Sequence, residues 1–128
     1  MRIFDAHAHV SAWSVSAARA MRELGVSDLC NISYPRDGAS AEALDAYERD
    51  LFPEDCVWDV RIHQVVSLPF GMIEQSPDDF LALSLGKIDA IKRQAGVVGV
   101  KIWKDVGMAR RDPDGRPLTI DNKLLEPI

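Results

Sequence analysis

A regular alternation of strand-like and helix-like segments is the feature of this sequence that most constrains its fold. Four apolar segments have the character of strands, and the three segments between them have the character of helices. In chain order these segments are residues 2–9, 14–24, 26–32, 41–51, 60–68, 76–93 and 97–103. Such strict alternation implies parallel strands joined by right-handed crossovers. The sequence therefore predicts an α/β fold.

The third predicted helix has the clearest start and end signals. Ser76 is expected as the N-cap, Pro77 at the first helical position and Asp79 as the acidic partner in a capping box. Gly96 suits the left-handed exit from the helix. The apolar residues that repeat at helical spacing are Leu81, Leu85, Ile88 and Ile91.

Three other helices are predicted from weaker signals, one of them over residues 41–51. Gly25 is expected to end the first helix of the chain. The residues expected on one apolar face of that helix are Val15, Ala18, Met21 and Leu24. Residues 121–128 have the character of a further helix that is just beginning.

Composition limits the classes of partner and the location. Of the 128 residues, 47% are hydrophobic and 27% are charged, which is typical of an ordinary soluble globular domain. The 15 basic residues are scattered and the net charge is −5, so no nucleic-acid partner is expected. No apolar run approaches the roughly 20 residues of a membrane span and no signal peptide is evident, so we expect no membrane partner and a cytoplasmic location. Cys30 and Cys56 form no CxxC pattern and are expected to be structural thiols.

The strongest chemical signal is an acid-x-His-x-His cluster that ends the first predicted strand. Because side chains alternate along a strand, Asp5, His7 and His9 are expected on one face. The Cα atoms of the two histidines would be roughly 6 to 7 Å apart, so their Nε2 atoms can share one ion at about 2.0 to 2.1 Å. We therefore predict that His7 and His9 are metal ligands.

Asp5 has two functional interpretations. It is either a direct metal ligand or an outer-shell acceptor that fixes the tautomer of a ligating histidine, and we favour the second. A carboxylate that is simply hydrogen-bonded inside the sheet is the structural alternative.

The fourth predicted strand carries a lysine among apolar residues. If its aliphatic row meets the helices, Lys101 and Trp103 face inward. A bare ammonium buried there would be strongly unfavourable unless it were paired or neutralised. A salt bridge to a carboxylate such as Asp5 is one remedy, and carbamylation by carbon dioxide, which makes Lys101 an anionic metal ligand, is the other. With the opposite register, Lys101 is merely solvated.

Three further features favour ordinary structural roles. Trp103 is expected in the core rather than as a substrate platform. His63 is expected to be a hydrogen-bonded or surface residue. Residues 112–115 lack the closing glutamate of a calcium loop and are expected to form a turn.

Two motifs together resemble the first and fourth strands of the amidohydrolase superfamily. They are residues 3–10, Ile-Phe-Asp-Ala-His-Ala-His-Val, and residues 99–105, Gly-Val-Lys-Ile-Trp-Lys-Asp. The resemblance implies a TIM-type barrel in which His7 and His9 bind a catalytic divalent metal, most suitably zinc, with manganese or another divalent ion as an alternative. It also implies that Lys101, where carbamylated, bridges two metals.

The resemblance covers nearly the whole chain but only part of the family's barrel. A closed barrel of eight strands typically needs about 250 residues. We therefore expect residues 1–128 to form a single partial domain with roughly the first four strands, that is, a half-barrel or truncated barrel. The family takes further metal-binding histidines from its fifth and sixth strands and a catalytic aspartate from its eighth. Only half of the site is thus expected, and the chain alone is expected to be inactive.

The resemblance implies a metal-dependent hydrolase that cleaves an ester, lactone or amide bond of a small-molecule substrate. In such an enzyme the metal lowers the pKa of water to about 7 and polarises a carbonyl. Asp5 and Lys101 are the candidate catalytic residues. The alternatives are a metal-dependent decarboxylase of the same superfamily and a truncated, catalytically inactive half-barrel. A half-barrel would leave strand edges and an apolar face uncovered, so we also expect self-association.

Overall fold

The fold is described for residues 2–9, 14–33 and 60–128, in a computed structural model. In chain order its elements are β1 (Ile3–Ala8), α1 (Val15–Glu23), β2 (Val26–Ile32), β3 (Arg61–Ser67), α2 (Pro77–Ile91) and β4 (Val97–Lys101). A single 3₁₀ turn, Phe70–Met72, lies between β3 and α2. The helix predicted over 41–51 and Cys56 lie outside the described residues. None of the described helices combines the length and the apolar character that a membrane span requires.

The four strands form one parallel sheet in the order β1-β2-β3-β4. A parallel sheet with helices in its connections confirms the predicted α/β class. The pairing of β2 with β3 has an unbroken register. The pairing of β1 with β2, however, shifts register between Asp5 and Ala8. The simple alternation assumed for the first strand is therefore broken where the histidines begin.

The main apolar cluster joins the end of β3, helix α2 and the C-terminal segment. Its buried members are Leu68, Phe70, Ile73, Phe80, Leu118 and Leu125. Val100 and Ile102 pack against this core cluster, whereas Val98 is 58% exposed. The aliphatic row predicted for the fourth strand thus meets the core at two of its three positions.

Helix α1 does not bury the apolar face that was predicted for it. Ala18 is buried, but Val15 and Leu24 are 59% and 76% exposed, so the prediction was wrong at the two ends of that face. Among the described elements α1 contacts chiefly β2, and Ala18 is the buried residue of the helix. Gly25 ends the helix as expected, with a φ of 90° that favours glycine.

Helix α2 starts where predicted, but without a capping box. Ser76 is the N-cap and Pro77 follows it, yet the Ser76 side chain makes no capping hydrogen bond. The backbone N–H of Ser76 donates to the carbonyl of Met72 at 2.8 Å. Because a capping box needs that N–H as the donor to the residue 79 carboxylate, the box does not form.

The predicted face of α2 is buried only in part: Ile88 packs against the core cluster, but the fully buried residues lie one position before Leu81 and Leu85. Phe80 and Ser84 are fully buried, whereas Leu85 is 37% exposed. The ring of Phe80 packs on that of Phe70, with centroids 5.2 Å apart. Burial of this aromatic pair decides which side of the helix faces the core.

Residues 121–128 form successive turns and not the predicted helix. The N–H of Leu125 donates to Asn122 at 2.8 Å, and the N–H of Ile128 donates to Leu125 at 3.0 Å. Pro127 has no N–H to donate, so a regular helical pattern cannot continue through it.

The predicted turn at 112–115 is confirmed. One carboxylate oxygen of Asp112 accepts hydrogen bonds from the backbone N–H groups of Asp114 and Arg116, at 3.0 and 2.8 Å. This is the local side-chain capture that makes aspartate a turn residue.

Candidate functional site

The carboxyl ends of the four parallel strands lie at one edge of the sheet, and polar side chains gather there. His7 and His9 lie at the end of β1, Ser67 ends β3, and Lys101 ends β4 just before Trp103. A ring contact joins His9 to Trp103, and a hydrogen bond joins Trp103 to Ser67. In open parallel sheets and in barrels alike, this edge is where ligands bind.

The two predicted metal ligands lie side by side. The Nε2 atoms of His7 and His9 are 3.1 Å apart, and the two rings meet nearly edge to face at an angle of 79°. Two nitrogens that each lie about 2.0 to 2.1 Å from one tetrahedral zinc ion are about 3.3 Å apart. The separation in the structure is close to that value, so the distance between the two nitrogens suits one divalent cation.

The tautomer of His9 is set by a backbone carbonyl. Its Nδ1 lies 2.9 Å from the carbonyl oxygen of Ile32, at the end of β2. A carbonyl oxygen can only accept, so Nδ1 carries the proton and Nε2 of the neutral ring keeps its lone pair. In the contact between the two Nε2 atoms, His7 is then the donor, and its Nε2 must lose that proton before it can bind a metal. A ligand nitrogen with its other ring nitrogen bonded to a carbonyl is the usual arrangement around protein-bound metals.

Asp5 does not have the outer-shell role that the sequence favoured. Its carboxylate accepts a hydrogen bond from the backbone N–H of His7 at 3.1 Å, and the carbonyl of Ile32 takes the ring proton of His9 instead. The pairing of β1 with β2 also shifts register between Asp5 and Ala8. Asp5 is exposed and supports the backbone that presents His7.

Lys101 lies beside the indole of Trp103. Its Nζ is 5.9 Å from the ring centroid, within the range of a cation–π interaction, and its side chain is half-buried. The ion pairs among the described residues involve other side chains, and none joins Lys101 to Asp5. The salt bridge considered from the sequence is therefore not formed. The indole face stabilises the ammonium instead, and carbamylation stays a prediction.

Two buried serines hold Trp103 at this edge. The indole N–H donates to Ser67 Oγ at 2.9 Å, and the Ser67 hydroxyl donates to the carbonyl of Ser33 at 2.9 Å. Both serines are fully buried. Trp103 is partly buried and packs against the core cluster, and its ring stacks on His9 with centroids 5.9 Å apart.

Sequence reasoning missed Ser33 and Ser67. Ser67 is the last residue of β3 and Ser33 directly follows β2. A polar residue at the carboxyl end of an apolar parallel strand is a signal that could have singled out both positions.

The third histidine has a different environment. His63 Nε2 lies 3.2 Å from an Asp28 carboxylate oxygen, and its ring contacts that of Phe4. It is thus a hydrogen-bonded residue, as expected. The Ser27 hydroxyl, 2.8 Å from Asp28, and then His63 hold the pKa of the Asp28 carboxyl below its ordinary value.

Among the described residues, His7 and His9 are the two candidate metal ligands that lie together. Across residues 2–9, 14–33 and 60–128, no group of three or more His, Cys, Asp or Glu side chains could hold a metal ion. A catalytic zinc ion usually has three protein ligands and one open position. Two imidazoles therefore make a partial site.

Comparison with known proteins identifies no relative of this chain. No protein-family model, curated protein or solved structure matches it.

Proposed function

We propose that this chain carries part of the active site of a metal-dependent hydrolase of the amidohydrolase type. The observation that carries the proposal is the histidine pair, with 3.1 Å between the Nε2 atoms of His7 and His9 and the His9 tautomer set by Ile32. The position of the pair, at the carboxyl end of the first parallel strand, supports it. The sequential order β1-β2-β3-β4 supports the further proposal that these are the first four strands of a TIM-type barrel.

In this proposal His7 and His9 hold one divalent ion, most suitably zinc. When bound, the ion polarises the carbonyl of an ester, lactone or amide and lowers the pKa of water. The residues of the chain hold the ion and orient its histidine ligands. Ile32 keeps His9 in the ligating tautomer, and Trp103 covers one face of the His9 ring. The substrate approaches from the strand ends, where both imidazoles are exposed.

Lys101 can complete the metal site if it is carbamylated. Its neutral amine adds to the carbon of carbon dioxide, a new N–C bond forms, one proton leaves, and an anionic carbamate results. The reaction removes the ammonium from the Trp103 ring, which opposes it by roughly 0.5 to 2 kcal/mol. A divalent ion bound at the site would then pair with the negative charge of the carbamate.

The test is a calorimetric titration of Zn²⁺ or Mn²⁺ into the purified chain. We expect weak binding at one site that is lost in the His7→Ala/His9→Ala variant, because both ligands are then removed. His63→Ala is the matched control, since it also removes an imidazole from the sheet but should bind the metal like the unmodified chain. Equal binding by the double variant and the unmodified chain would refute the proposal.

Two further arms of the same experiment examine Lys101 and catalysis. If Lys101 is carbamylated, bicarbonate raises metal affinity and Lys101→Ala abolishes that rise. Simple esters and lactones should be hydrolysed negligibly, because the described residues offer two imidazole ligands where a catalytic zinc ion usually has three protein ligands. Turnover at rates typical of enzymes, roughly 1 to 1,000 per second, lost in the double variant, would show that these residues contain more of the site than we propose.

A further inference from the structure

We propose that Trp103 is a positioning residue for the metal ligand His9 and that Ser67 anchors it, an inference that rests on the proposed function of the histidine pair. The indole and imidazole rings are stacked, with an interplanar angle of 25° and centroids 5.9 Å apart. Trp103 therefore acts on the metal through the orientation of another residue.

His9 needs such a neighbour because it is exposed. The hydrogen bond from Nδ1 to Ile32 holds one atom of the ring, and a tilt of the ring would break that bond. A tilt would move Nε2 away from the Nε2 of His7, which lies 3.1 Å from it. The flat indole face restricts this motion. A ligand that is already oriented loses less conformational freedom when the metal binds, so the affinity is higher.

Trp103 can restrict His9 only because it is itself fixed. One side of the indole packs against the core cluster, and its N–H donates to Ser67 Oγ at 2.9 Å. The proton of the Ser67 hydroxyl goes to the carbonyl of Ser33, which directs a lone pair of that oxygen toward the indole. His9, at the end of β1, is therefore held by residues from the other strands. Trp103 follows β4, Ser67 ends β3 and Ser33 follows β2.

The experiment compares three variants with two controls. Trp103→Leu removes the ring, Trp103→Phe keeps an aromatic face without the N–H, and Ser67→Ala removes the anchor. Phe70→Leu is the control for a lost ring in the same core cluster, and Ser84→Ala is the control for a lost buried hydroxyl. All five are made in the full chain.

Two measurements are made on each variant. Nitrogen-15 NMR of the metal-free chain at about pH 8, where a free imidazole is neutral, reports the His9 tautomer. Calorimetry with Zn²⁺ reports affinity. For Trp103→Leu we expect a mixture of His9 tautomers and an affinity about 10-fold lower, the size of effect seen when outer-shell groups are removed. Trp103→Phe should recover most of the tautomer preference and most of the Zn²⁺ affinity. Ser67→Ala should lie between Trp103→Leu and the unmodified chain in both measurements, and the two controls should match the unmodified chain.

The inference is overturned if Trp103→Leu leaves tautomer and affinity unchanged, or if Phe70→Leu changes them as much. If Trp103→Leu does not fold, Trp103→Phe and Ser67→Ala decide the question by the same criteria. If the unmodified chain binds no Zn²⁺, the proposed function fails by itself, and the tautomer measurement still decides whether Trp103 positions His9.

Discussion

Three neighbouring side chains contact the carboxylate of Asp28 and lie within hydrogen-bond or ion-pair distance of it. Its carboxylate lies 2.8 Å from the Ser27 hydroxyl, 3.2 Å from His63 Nε2 and 3.4 Å from the Arg61 guanidinium. The hydrogen bonds from Ser27 and then His63 lower its pKa from the ordinary 3.8, while partial burial opposes the shift. The folded state therefore favours the ionised carboxylate.

The expected consequence is a pH-dependent stability that Asp28→Asn reduces. Because the folded pKa lies below the unfolded one, this stabilisation is present above the ordinary Asp pKa and is lost as pH falls through the folded value. Urea unfolding from about pH 6 to about pH 3 should show a smaller loss of stability in Asp28→Asn than in the unmodified chain. Ser27→Ala, which keeps the carboxylate but removes its strongest donor, should be intermediate. Parallel pH curves for all three would contradict this account.

At the scale of elements, the two described helices begin in different ways. Ser14 is the N-cap of α1, and its hydroxyl accepts a hydrogen bond from the N–H of Ala17 at 3.1 Å. Ser76 occupies the same position in α2, but its side chain makes no cap bond. The sequence predicted the cap at Ser76, because the residue type and the Pro77 that follows it are local signals. Only the backbone geometry of each turn decides whether the hydroxyl reaches an N–H.

The two serines should therefore differ in their contribution to stability. Ser14→Ala should destabilise the chain by about 1 kcal/mol, the usual loss when a capping side chain is removed. Ser76→Ala should lower stability by clearly less, since it removes no hydrogen bond of this kind. Chemical denaturation of both variants measures the difference, and each variant is the other's control. A larger loss in Ser76→Ala would mean that its hydroxyl caps the helix in solution.

At the scale of the whole molecule, the sheet has two outer strands. Among the described strands β1 and β4 lie at the edges, and each carries a large apolar side chain that is more than half exposed. These are Phe4, at 56%, and Val98, at 58%. Unpaired parallel edges with apolar side chains favour pairing with another chain.

We accordingly expect the chain to self-associate, and Val98→Lys to weaken that association. A charge on the β4 edge opposes strand pairing, so the apparent dissociation constant should rise by about 10-fold, or 1.4 kcal/mol. Leu24→Lys is the control, because it places the same charge on an exposed residue outside the sheet. Sedimentation velocity over a range of concentrations measures both. A monodisperse monomer in the unmodified chain would refute the expectation.

Local patterns in the sequence determined the strands, the α/β class and the histidine pair. The predicted strand over 26–32 matches β2, and the predicted position of His7 and His9 at the end of the first strand matches the structure. These features could be predicted because each depends on neighbouring residues: strand periodicity is set within a few positions, and an HxH pair lies two residues apart.

Tertiary structure alone decided what surrounds that pair. The carbonyl that sets the His9 tautomer is 23 residues away, and the serine that anchors Trp103 is 36 residues from it. Asp5, two residues from His7 in sequence, accepts a hydrogen bond from the backbone N–H of His7. Strand register and the packing of Trp103 depend on contacts between distant segments, and a single sequence contains no local signal for them.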